Sequence, residues 1–147
     1  VNDKTFKKIE SDLYNYKYLN VKIENLKIKV EDINNSYDGC TAISYEEKTG
    51  KTNKFNSSVE NEVVNRIENT IPAIGELERK ITYYINLKKK IDNALTVLSP
   101  MQKQLVELRY FSFPTRSWVS IERDLHMNKD YCCTKRIEVI TLLSNLL

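Results

Sequence analysis

Glycine and proline are scarce in this chain, with three of each in 147 residues. A sandwich or barrel needs more turn residues than that, so the composition favours helices. No apolar run approaches the roughly 18 residues that a membrane span requires, so no membrane partner is expected. The opening Val1-Asn2-Asp3-Lys4 is not followed by an apolar core and does not have the form of a secretory signal. A cytoplasmic location is therefore expected. Cysteine is also sparse. Cys40 stands alone, and Cys132 and Cys133 are adjacent, which is neither CxxC nor zinc-ligand spacing. The odd count argues against a disulfide framework. His126 is the single histidine. No paired carboxylates, Ser/His/Asp set or glycine-rich phosphate loop is evident, so neither an enzyme nor a cofactor is expected. The net charge of +3 permits nucleic-acid binding without announcing it.

What the chain does have is helical periodicity. Phe6, Ile9, Leu13, Tyr16, Ile23, Leu26, Val30 and Ile33 recur mostly at spacings of three and four, which predicts a helix over residues 4–34. Such a helix would be about 45 Å long, too long for a small core to cover, so it should pair with another long helix. Residues 35–57 break the pattern. Asn34-Asn35-Ser36, Asp38-Gly39 and Thr49-Gly50 are turn signals, with Ala42-Ile43-Ser44-Tyr45 as a short strand or extended loop between them. Helical spacing resumes over 58–97 with Val59, Val63, Ile67, Ile71, Ile74, Leu77, Ile81, Tyr84, Ile91 and Leu95. Ser57 or Ser58 can cap its start. Pro72 should kink or break it near Thr70. An antiparallel helical hairpin and an intermolecular coiled coil both satisfy these two stripes. The tyrosines at 14, 16, 18, 83 and 84 are expected to pack, and Lys88-Lys89-Lys90 to solvate a helix.

Residues 98–147 form a third segment. Ser99 is a good N-cap ahead of Pro100, and the helix should run to about Phe111. Ser112-Phe113-Pro114-Thr115 ends it. Thr115 or Ser117 opens the next helix, which closes near Leu125, and Asn128 caps the last one. Leu105, Leu108, Trp118, Ile121, Leu125 and Met127 can form a shared centre. On the last helix, Cys132, Val139 and Leu143 share a face, joined by Ile140. The opposite face carries Lys129, Asp130, Cys133 and Thr134, with Ile137 a further candidate, and Lys135 and Arg136 flank it. His126 sits where the chain must turn sharply. Histidine is enriched at positive φ, so it is expected to serve the turn. This is the pattern of a helix-turn-helix, in which the second helix enters the major groove. Ser117, Asn128, Lys129, Asp130, Cys133, Thr134, Lys135 and Arg136 are the candidate DNA-binding residues, the basic ones for phosphates and the first-turn side chains for base edges.

The run from Leu98-Ser99-Pro100 through Leu105-Val106-Glu107-Leu108-Arg109-Tyr110-Phe111 and Ser117-Trp118 to Leu143 resembles region 4 of bacterial sigma factors. The whole chain resembles the RinA/ArpU-like late-transcription regulators of phages of Firmicutes. The long first helix, Thr49-Gly50-Lys51, Ser57-Ser58-Val59-Glu60 and the sigma-like end stand in the same order. There are departures. The link from Phe111 to Ser117 is longer than in the sigma pattern, Glu122 stands where a small residue is usual, and nothing resembles the promoter-melting region.

The resulting expectation is all-α. Residues 1–97 would form a long helical hairpin or coiled-coil-like arm with a loop at 35–57, followed by a sigma region 4-like helix-turn-helix domain over 98–147. The resemblance implies a transcription regulator in a bacterial host cell, activating late phage genes. Double-stranded DNA would be its partner, RNA polymerase a second one, and the N-terminal helices a route to a homodimer. A small terminase subunit for DNA packaging and a helical adaptor without DNA contact are the alternatives.

Overall fold

The protein is described by a computed structural model over residues 2–36 and 58–147. It is all-α, and among the described residues there is no strand. The helices are α1 (Asp3–Tyr16), α2 (Leu19–Asn35), α3 (Ser58–Asn65), α4 (Ile71–Thr96), α5 (Pro100–Val106), α6 (Trp118–Leu125) and α7 (Lys129–Ser144). Two π-turns, Arg66–Thr70 and Glu107–Phe111, continue α3 and α5. None of the helices is long and apolar enough to cross a membrane. Cys40, the Ala42–Tyr45 stretch, Thr49-Gly50-Lys51 and Ser57 lie outside the described residues.

Two compact units are present. One comprises Val1–Lys22 with Tyr84–Leu147, the other Ile23–Tyr83. This partition differs from the expected division at residue 97, and the reason is in the first helix. Ile9 and Leu13 of α1 are buried with Ile91 and Ala94 of α4, Val106, Tyr110, and Val139, Ile140 and Leu143 of α7. The front of the expected arm is thus a core element of the C-terminal unit.

The helix expected over 4–34 is two helices. No proline or glycine causes the break at Lys17-Tyr18. Leu13 and Leu19 are both fully buried, yet six residues place them about 120° apart on an unbroken α-helix. A single tighter turn, in which Tyr18 N–H donates to the Asn15 carbonyl at 2.9 Å, brings both into one core. Asn34 and Asn35, expected in a turn, complete the last turn of α2.

The interruption expected near Thr70 is there, as a π-turn. Ile71 N–H donates to the Arg66 carbonyl, five residues back. Pro72 has no N–H to give Glu68, and its ring would crowd that carbonyl in a regular α-turn. The wider turn accommodates both demands. In this second unit, Ile33, Asn34 and Ser36 line a small hollow with Glu62, Asn65, Arg66 and Thr70.

The helix from Pro100 begins as expected. Ser99 Oγ accepts from Gln102 N–H, and Gln102 Oε1 accepts from Ser99 N–H, a reciprocal capping box. It then widens, with Ser112 N–H donating to the Glu107 carbonyl at 2.9 Å. Beyond it lies a second cluster of Leu105, Ile121, Leu125 and Cys132, with Leu108, Trp118 and Met127 packed against it. All six residues expected at this centre are in it. Cys132 joins them from α7.

Candidate nucleic-acid interface

Helices α6 and α7 are joined by a turn that the sequence specifies locally. Ser117 caps α6, its Oγ accepting from Ser120 N–H at 3.2 Å. His126 follows α6 with φ 52° and ψ 39°, the left-handed conformation expected of it. Met127 N–H returns to the Glu122 carbonyl at 3.1 Å. Asn128 then caps α7, its Oδ1 accepting from Asp130 N–H at 2.8 Å. Ser117 and Asn128 therefore have defined structural duties, and both remain exposed.

The longer link ahead of α6 is fastened at several points. Arg109 stacks its guanidinium 4.7 Å from the Trp118 ring centroid and donates from Nη1 to the Arg116 carbonyl at 2.7 Å. Its Nε is buried without a hydrogen-bond partner. Ser112 Oγ donates to the Leu108 carbonyl at 2.6 Å, Lys17 reaches the Ser112 carbonyl at 3.2 Å, and Arg116 pairs with Asp124.

The candidate residues on α7 separate into two groups. Lys129, Asp130 and Thr134 are exposed. Thr134 Oγ1 donates to the Asp130 carbonyl at 3.0 Å, which leaves the Asp130 carboxylate free of that bond. Cys133 is half-buried, whereas Cys132 is fully buried, where desolvation raises its thiol pKa and keeps it protonated. Lys135 is bonded to Glu138 at 2.7 Å, and its ammonium lies 5.3 Å from the Tyr131 ring centroid.

Arg136 faces inward. Its Nη2 and Nε lie 2.7 and 2.8 Å from Glu10 Oε1 on α1. Its guanidinium carbon is 5.1 Å from the Phe6 ring centroid and 6.0 Å from that of Trp118. Tyr110 Oη donates to the same Glu10 oxygen at 2.8 Å. Burial, then the bond to Glu10, pushes the Tyr110 phenol above its ordinary range. For Arg136 desolvation works against the charge, and the bonds to Glu10 and Tyr110 outweigh it, so its pKa is raised. A residue expected at a phosphate is thus spent on tying α7 to α1. Sequence spacing placed Arg136 at the flank of the outer face but gave no sign that α1 would occupy that flank.

Sequence reasoning also missed part of the outer face. Asp130, Thr134, Ile137 and Thr141 form the exposed stripe at successive turns, with Tyr131 and Glu138 beside it. The signal for Tyr131 and Thr141 was available: on the helical wheel Thr141 lies opposite Cys132 and Leu143, and Tyr131 lies opposite Ile140. Among the described residues, no three His, Cys, Asp or Glu side chains gather as metal ligands would.

The chain belongs to a family described as "Protein of unknown function (DUF722)", whose model matches residues 2–145. No curated protein matches the chain, and no solved structure does.

Proposed function

We propose that this member of the DUF722 family is a DNA-binding transcription regulator of the phage late-gene type, and that α6 and α7 are its helix-turn-helix. The observation that carries this reading is the α6–His126–α7 unit. Two helices capped by Ser117 and Asn128 meet at a left-handed residue and share a core with α5. The polar outer stripe of α7 is left open to a groove. Lys129 supplies a phosphate contact at the start of α7. Lys135 supplies a second by exchanging its exposed, screened bond to Glu138 for a phosphate. Arg136 supplies none, because leaving Glu10 would strand a half-buried carboxylate beside a buried phenol. The N-terminal helices serve to dimerise or to engage RNA polymerase, and the protein works in the cytoplasm of the bacterial host.

Gel-shift titration over a range of salt tests this. Lys129→Ala should weaken binding across all sequences and flatten the salt slope by about one. Arg136→Ala should lower stability and leave the slope unchanged. An unaltered slope with Lys129→Ala would place the interface elsewhere. No affinity for duplex DNA at low salt would sink the reading in favour of a protein-binding adaptor. A ring of many subunits in light scattering would favour packaging over regulation.

A further inference from the structure

The outer stripe of α7 has a composition that says which bases it suits. Asp130, Thr134, Ile137, Glu138 and Thr141 carry no arginine or lysine among them. Guanine shows only acceptors, N7 and O6, to the major groove, and the side chains that most often recognise it are arginine and lysine. A carboxylate at Asp130 is an acceptor without a proton to offer, so guanine O6 and thymine O4 repel it, whereas the cytosine N4 amino group satisfies it. Ile137 is an apolar side chain, 53% exposed, and the one strongly apolar group that bases present in the groove is the thymine methyl.

We propose that α7 selects its DNA site by an amino base, cytosine above all, opposite Asp130 and a thymine methyl against Ile137. This rests on the DNA-binding reading above. The seven-residue separation of the two positions spans about 10 Å along the helix axis, which matches roughly three base steps at 3.4 Å each. Thr134 lies between them, and with its proton given to the Asp130 carbonyl its Oγ1 is left to accept from the intervening base. Glu138 stands beside the stripe rather than on it. Asp130 also favours the positive end of the helix dipole. That structural role predicts no change of base preference, so the two roles can be told apart.

Selection from a random duplex library with the chain, followed by titration of the selected site, is the experiment. The expected site carries cytosine and thymine about three base steps apart. Asp130→Asn should shift the first position from cytosine to adenine, because an amide bonds adenine N6 and N7 together. Replacing the selected thymine by deoxyuridine should cost the unaltered protein roughly fourfold in affinity and Ile137→Ala almost nothing. Both residues are exposed, and the uracil arm needs no altered protein. If a site is selected but its first base is indifferent to Asp130→Asn, or deoxyuridine binds as well as thymine, the proposed code is wrong while DNA binding stands. If no sequence is selected and no duplex is bound at low salt, the parent reading fails.

Discussion

His126 shows how much a single residue can fix. It holds a left-handed conformation, with φ 52° and ψ 39°, at the point where the chain turns from α6 towards α7. For an L-residue with a side chain that conformation costs free energy that glycine does not incur. His126→Gly should therefore raise the stability of the unit by about 1 kcal/mol, read as a higher urea midpoint with an unchanged slope. A β-branched residue there should lower it. If His126→Gly destabilises, the imidazole makes a contribution beyond the turn. Arg136 is the opposite case. Its flanking position on α7 was legible in the sequence, but its partners were not. Glu10 and Tyr110 lie 126 and 26 residues away, and no local spacing links them.

At the scale of elements, α1 is held to the rest of its unit by aromatic and ionic ties. Tyr14 meets Tyr110 edge-on at 4.7 Å between centroids, and Tyr16 stacks on Phe111 at 4.6 Å. Tyr16 also donates to Asp92 on α4, which Lys88 bonds at 2.9 Å. Burial raises the Asp92 pKa, but the bonds from Tyr16 and Lys88 outweigh it and hold the carboxyl below its ordinary 3.8. A depressed carboxylate stabilises the fold above its unfolded pKa, and that contribution is lost as pH falls through the folded value. Asp92→Asn should then cost about 1 kcal/mol near neutrality, allowing for solvent screening. Urea melts should show the gap between variant and parent closing below the ordinary carboxylate range. A gap unchanged at low pH would mean that the Asp92 charge is not what holds α1. The caps at Ser99, Ser117 and Asn128 and the left-handed His126 were all legible because each is settled by a few neighbouring residues. The break at Lys17-Tyr18 was not. Nothing local disfavours helix there, and the demand comes from placing Leu13 and Leu19 in one core. The kink ahead of Pro72 was legible as an interruption, but its π geometry was not.

For the whole molecule, the second unit carries a surface that one copy leaves open. Val63, Ile67 and Ile71 recur every four residues through α3 and the first π-turn into α4, with Val64 beside them, and all are exposed. Large aliphatic side chains in such a row remain exposed only at a free-energy cost that association would recover. The same periodicity underlies the expectation of a coiled-coil-like arm, and under the proposed function a second copy of the chain is the partner to be tested. A two-fold dimer would present two copies of α7, so its DNA site should contain two half-sites. Ile67→Lys with Ile71→Lys should give a monomer in sedimentation equilibrium with the helical circular-dichroism signal retained. It should also bind a single half-site with near-parental affinity while losing the added affinity for the paired site. The row is on Ile23–Tyr83, and α6 and α7 belong to the other unit, so the two effects can be separated. A paired site bound equally well by the double variant would show that association plays no part in recognition. A parent chain that is already monomeric at micromolar concentration would assign the exposed row to a different protein.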